Sequence, residues 1–194
     1  KNKNIVLTDI KKYPWIEKKL DMENLQLGKK KVDIFIINHA LHHSSNPARL
    51  LKKISKYLKK DGLILINDPE ISFFFQIFLF FLKHEGWSFK ADVFNTKKDL
   101  FKSNIPWLAN NAIARLFFKN ENKFHTYFPE YKIIKNELSE FFIFLNSGGV
   151  VTETLHIPIN KFLFNLLYFI DRIIIFLFPN IFALNRTIVL KKVK

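Results

Sequence analysis

The sequence predicts an α/β fold built on a parallel sheet, and three observations predict it. Residues 32–38 (VDIFIIN) and 63–67 (LILIN) are β-branched, apolar runs of strand length, the pattern of parallel strands covered on both faces. Between them, Leu50, Leu51, Ile54 and Leu58 recur at helical spacing, and a strand, helix, strand passage is the crossover that parallel pairing requires. Finally, Asp9, Asp21, Asn38 and Asp68 each close a predicted strand. Open α/β sheets bind ligands at that carboxyl edge.

The elements follow in order. Residues 5–8 read as a short buried strand ending at Asp9, and residues 17–20 as a second strand ending at Asp21. Asn46-Pro47 opens a helix over residues 46–60, with Asn as N-cap and Pro in the first turn. Asp61-Gly62 closes it. Residues 71–82 form a Phe-rich helical run, and residues 88–130, with Pro106-Trp107 and Asn110-Asn111, read as an inserted helical cap, so that the cap spans 71–130. Residues 131–134 and 140–145 read as strand stopped by Gly148-Gly149, residues 160–178 as a long apolar helix, and residues 187–193 as a closing strand.

The long helix has uncharged stretches shorter than the roughly 18 residues a membrane span needs. Asp171 and Arg172 interrupt it. It is expected to pack on the sheet, with an interfacial position on acidic lipid as the alternative.

Composition narrows the function. The chain has 194 residues, enough for one domain, with 23 Phe and only 5 Gly. It holds no Cys, which excludes a disulfide framework, a Cys-ligated zinc site and an iron–sulfur cluster. Lys and Arg number 31 against 17 Asp and Glu, a net charge of +14. Such a charge favours anionic partners, but the basic residues are scattered and the Phe residues sit in apolar runs. No nucleic-acid partner is therefore expected.

The chain opens at Lys1 and enters an apolar run by Ile5 with no preceding leader pattern. The expectation is a fragment lacking an N-terminal portion.

Residues 5–68 resemble a class I S-adenosylmethionine-dependent methyltransferase of the methyltransferase-11 type. IVLTD (5–9) is similar to that family's second strand, KLDMENL (19–25) to the acidic loop after its third, and VDIFIINHALHHSSNP (32–47) to its fourth strand and the turn that follows. LLKKISKYLKKDGLILINDP (50–69) is similar to the next helix, turn and fifth strand. The tail resembles a subgroup associated with cell-surface glycan biosynthesis, in HEGW (84–87), FFIFLNSGG (141–149) and FPNIFALNRTIVLKK (178–192).

The resemblance implies a Rossmann-like methyltransferase sheet with helices on both faces, in the order 3-2-1-4-5-7-6. Here the first strand is missing and a helical cap follows the fifth. The family's Gly-rich loop, which belongs before Ile5, has no counterpart. The sheet is then expected to show a gap or collapse, and the cofactor to bind poorly.

The resemblance also implies S-adenosyl-L-methionine as cofactor. Asp9 with Ile10 would hold the ribose, since a carboxylate past a strand can accept from both hydroxyls. Asp21 would accept from the adenine amino group with Met22 along the ring, and Asn38 and His39 would line the methionine part. His43 and His84 are the candidate general bases, ahead of Asp68 and Glu70; methyl transfer by positioning alone is the alternative. His39-x-x-His42-His43 lacks an evident carboxylate partner in the sequence, so no metal is expected. The function implied is methyl transfer to a small-molecule or glycan- or lipid-linked acceptor in the cytoplasm, with peripheral contact at the inner face of the membrane as an option. A membrane-associated scaffold and a basic nucleic-acid-binding module are the competing readings.

Overall fold

The computed structural model describes residues 5–82, 85–101, 109–146 and 156–194. The strands are β1 (Thr8–Asp9), β2 (Lys18–Lys19), β3 (Val32–Asn38), β4 (Leu58–Pro69), β5 (Tyr131–Ser139) and β6 (Asn185–Lys192). The α-helices are α1 (Pro47–Tyr57), α2 (Phe73–Leu82), α3 (Ile113–Phe118), α4 (Glu121–Tyr127), α5 (Phe142–Asn146), α6 (Lys161–Leu177) and α7 (Pro179–Phe182), with one 3-10 turn at Leu41–His43.

The strands form two separate sheets. β1 and β2 pair in parallel by themselves, and β3-β4-β6-β5 form the main sheet. β3 and β4 are parallel through α1, while β6 runs antiparallel to both β4 and β5. This is the expected order with its first strand left out, and the expected gap lies between the two sheets. The architecture is mixed α/β with a Rossmann-like methyltransferase arrangement.

The structure corrects two expectations about burial. Residues 5–7 are exposed rather than buried, and only Thr8 and Asp9 pair. β3 is not covered on both faces: Ile36 is 68% exposed and Ile34 50%. Each segment has the composition of an inner strand, but among the described residues no strand pairs with the other edge of β3.

α1 forms for the reasons its sequence supplies. The Asn46 Oδ1 accepts from the Arg49 N–H at 2.9 Å, and Pro47 occupies the first turn, where no intrahelical N–H is required. Leu50, Leu51 and Ile54 are buried against Ile64, Ile66, Ile188 and Leu190 of the sheet and against Phe117, Phe124 and Phe128. The helix stops at Tyr57, earlier than the expected residue 60, because residues 58–62 already run beside β3 with a register shift. Asp61 turns the chain at φ +60. A Cβ on Gly62 would meet Leu58 at 2.8 Å and the Asp33 carbonyl oxygen at 2.9 Å, so glycine is required there by close approach.

A second apolar cluster joins Ile71, Phe75 and Leu79 to Phe141, Phe144 and Leu184. Between the clusters runs a buried ion network: Arg186 Nε lies 2.6 Å from Glu70 Oε2, and Arg115 Nη1 3.3 Å from Glu70 Oε1. Glu70 is thereby held as a structural strut.

The C-terminal half brings two further corrections. Residues 142–146 form α5 instead of strand, because a remote carboxylate caps them. Asp171 on α6 accepts from the N–H groups of Phe141, Phe142 and Ile143 at 2.9, 3.0 and 3.2 Å. α6 has the expected bounds and an Asn160 cap to Leu163 N, but it is not buried. Asp171, only 2% exposed, faces inward, while Phe162, Phe169 and Phe176 point outward at 77, 60 and 86% exposure. Pro106-Trp107 and Gly148-Gly149 lie outside the described residues.

Candidate active site

The parallel pairs decide where the polar strand ends gather. β1 and β2 run in register, Thr8 opposite Lys18 and Asp9 opposite Lys19, so Asp9 and the loop holding Asp21 leave the same edge. β3 and β4 are likewise in register at Asn38 and Asn67, so Asn38, His39 and Asp68 share an edge.

The individual groups are well anchored. Asp9 Oδ1 accepts from the Lys11 N–H at 2.7 Å, and Ile10 is exposed beside it. Asp21 Oδ1 accepts from the Glu23 N–H and Oδ2 from Asn24 Nδ2, both at 2.9 Å. A carboxylate has about four acceptor positions, so room remains for a ligand amino group. Met22 packs half-buried against the main core. Asn38 Oδ1 accepts from Asn67 Nδ2 at 3.0 Å. His39 turns the chain at φ +45 and donates its N–H to the Asn67 carbonyl at 2.7 Å. Burial lowers its pKa, outweighing the nearby Asp68 carboxylate, so its ring favours the neutral form.

Glu23, which sequence reading passed over, fixes the loop after β2 to the main sheet. Its carboxylate accepts from Ser44 Oγ at 2.9 Å, the Ser45 N–H at 2.8 Å and Ser45 Oγ at 2.9 Å, and Lys53 donates to its carbonyl. The two serines precede Asn46, so one side chain ties the Asp21 loop to the start of α1.

The histidine turn holds the densest chemistry. His42 is 3% exposed, and its Nδ1 lies 2.9 Å from Asp68 Oδ1. Burial works against the His42 imidazolium, but the Asp68 carboxylate, its hydrogen bond and Glu85 outweigh burial and raise the pKa. Glu85 faces both rings: Oε2 lies 3.6 Å from His42 Nε2, and Oε1 3.5 Å from His43 Nε2. The expectation that no carboxylate stands near these histidines is therefore corrected. Glu85 lies more than 40 positions along the chain, and the bridge between Gly86 and Asn110 helps fix it in place. Of the two expected bases, His43 is in this cluster and His84 lies outside the described residues. Asp68 holds His42.

A hollow of about 740 Å³ lined by Arg115, Lys119, Asn120 and Lys123 contains none of these groups.

Fold and strand-end chemistry together give an α/β protein whose carboxyl strand ends carry polar groups. Residues 6–66 match the family model of a methyltransferase domain, a segment running from before β1 into β4. That segment is similar to a methyltransferase domain, and S-adenosylmethionine is the donor that family uses. No curated protein matches the chain.

The residues present fit half of that cofactor. Asp9 and Asp21 offer carboxylate oxygens of the kind ribose hydroxyls and an adenine amino group need. A Gly-rich cradle for the amino-acid end is absent among the described residues.

Proposed function

We propose that the chain transfers a methyl group from S-adenosylmethionine to a hydroxyl of a lipid-linked or glycan-type acceptor at the inner face of the membrane. The observation supporting this reading is that Asp9 ends one short parallel sheet with Asp21 in the loop after it, while Asn38 and His39 close β3, whose other edge lacks a partner strand among the described residues. In this reading Asp9 and Ile10 hold the ribose, Asp21 and Met22 the adenine, and Asn38 and His39 the methionine portion. A further parallel strand beyond these 194 residues, carrying the Gly-rich loop, fills the open position next to β3. The region 71–130 serves as the cap over the acceptor.

When bound, the cofactor supplies a methyl group activated on a sulfonium. His43 would take the proton of the acceptor hydroxyl as the methyl passes to that oxygen and the sulfonium becomes a neutral thioether. Glu85 steadies the imidazolium that results.

Membrane contact is supported by α6. Its outward Phe162, Phe169 and Phe176, together with Phe80 and Phe81 of α2, place aromatic side chains on the surface of a chain with net charge +14. A helix of 17 residues is about 25 Å long, and among the described residues no helix is long and apolar enough to cross a membrane. An amphipathic helix lying in the plane of an acidic bilayer has this character.

Calorimetric titration of S-adenosylhomocysteine into this chain and into the chain extended upstream tests the cofactor reading. The extended form should bind, and Asp9→Ala should weaken it at least about tenfold, the size of a lost charged hydrogen bond pair. Absence of binding to both forms defeats the reading. Flotation with vesicles of acidic phospholipid tests membrane contact: F162S/F169S/F176S should leave the protein unbound.

A further inference from the structure

We propose that His42, His43 and Glu85 form a binding site for a divalent transition-metal cation, zinc-like in its ligand preference, with one coordination position open toward the acceptor.

The side-chain atoms that could ligate all lie within 4.8 Å of one another. Both imidazole-to-carboxylate separations, 3.5 and 3.6 Å, exceed ordinary hydrogen-bond lengths of about 2.7–3.2 Å. Each imidazole faces its own Glu85 oxygen, His42 facing Oε2 and His43 facing Oε1, at a separation close to the roughly 3.4 Å between ligand atoms around a tetrahedral zinc with bonds near 2.0–2.2 Å. The two rings, on neighbouring residues of the 3-10 turn, stand 4.2 Å apart between centroids.

The surroundings resemble the outer support that metal sites require. A ligating histidine ordinarily gives its other ring N–H to a carboxylate, and His42 Nδ1 meets Asp68 Oδ1 in this way, leaving Nε2 directed at Glu85. Glu85 is oriented in turn: Asn111 Nδ2, on a fully buried residue, donates to Oε2 at 3.1 Å and to the Gly86 carbonyl at 3.2 Å. Asp68 supplies an independent sign. It is completely buried, and its Oδ2 has no hydrogen-bond partner among the described residues. A buried carboxylate oxygen without a donor is costly, and a nearby cation offsets that cost through His42.

Two histidines and one carboxylate suit zinc, cobalt or iron better than magnesium or calcium, which prefer oxygen ligands alone. Three protein ligands leave a fourth position free, as catalytic rather than structural sites do. His42 closes the inner side at 4% side-chain exposure, while His43 at 21% and Glu85 at 14% face outward, so the open position points away from the core. Cation binding itself is independent of the methyl-transfer reading. Only its use, holding an acceptor hydroxyl, rests on that reading. Ligation and proton acceptance are alternative uses of the one His43 Nε2, and the Zn²⁺ titration decides between them.

The test is titration of the chain with Zn²⁺ by calorimetry and with Co²⁺ by visible absorption. One equivalent should bind, with the intense visible bands of tetrahedral cobalt. His43→Gln and Glu85→Gln, at partly exposed positions, should each weaken binding at least tenfold, and Asp68→Asn about 10–100-fold, as for supporting partners elsewhere. His156→Ala, outside the cluster, should leave affinity unchanged. Absence of heat and of cobalt bands in the native chain overturns the proposal, as does binding that survives the H43Q/E85Q double variant in a protein shown folded by circular dichroism. Neither readout uses S-adenosylmethionine. A chain that binds the cation but no S-adenosylhomocysteine sustains this proposal and removes the methyl-transfer reading.

Discussion

α1 and α6 are both capped by an asparagine and both rich in apolar residues, yet they sit in the fold with opposite polarity. α1 turns Leu50, Leu51 and Ile54 inward, as an amphipathic surface helix should. α6 turns Asp171 inward beside Ile175 and leaves Phe162, Phe169 and Phe176 in the open. The difference lies in what each helix meets. α1 lies on an apolar sheet face with Ile64 and Ile66, so burial of hydrocarbon sets its rotation. α6 meets the N-terminus of α5, whose unpaired N–H groups need an acceptor, and the carboxylate that supplies one sets its rotation instead.

That comparison can be broken by mutation, starting with the largest effect. Leu51→Ala empties a fully buried position under α1 and should cost roughly 2–5 kcal/mol, read by urea denaturation. Asp171→Ala strips three N–H groups of their acceptor and should cost roughly 2–3 kcal/mol, with loss of α5 visible as faster amide exchange at Phe141, Phe142 and Ile143. A cost for Asp171→Ala below that of an ordinary surface change would show that α6 is not held by its charge.

Glu140 sharpens the same point through pH. It sits at φ +62 next to α5, and burial, then Asp171, raise its pKa above the ordinary 4.5. The folded state therefore holds this proton more tightly than the unfolded chain does. Stability should fall as pH rises from 4.5 through the folded value. Glu140→Gln should flatten that part of the stability–pH profile. The smallest effect belongs to the outer face of α6: Phe176→Ser should change stability by no more than about 0.5 kcal/mol, while reducing vesicle binding. A large loss of stability would mean that this face is packed in solution.

Much of the main sheet was legible in sequence because its signals are local. The VDIFIIN run, the Asn46-Pro47 start and the Leu50 to Leu58 spacing each specify an element by themselves, and the order of strands followed from the resemblance. Burial was less legible. Ile34 and Ile36 have the composition of a covered strand, but they share one face of β3 that stays exposed among the described residues. The sequence around Phe141 reads as β-prone, and the cap that makes it helical comes from Asp171, 30 positions away. At the candidate site, His43 and the strand-end carboxylates were visible, whereas Glu85 was not, because its approach depends on the Gly86–Asn110 bridge. Glu23 was hidden for the same reason, its partners Ser44 and Ser45 belonging to another element.

The position of β6 has a consequence for how the chain is made. Residues 185–192 lie between β4 and β5 and pair with both, so β5 has no hydrogen-bonded link to β4 without them. During synthesis the sheet must wait with β4 and β5 unjoined until the ribosome has passed residue 192, a long-range closure of the kind that slows folding. Through that interval the Phe-rich face of α6 is already made and uncovered, and aggregation competes with completion. Chaperone binding should therefore peak on nascent chains ending just after α6, and chains stopped before residue 185 should accumulate as insoluble protein.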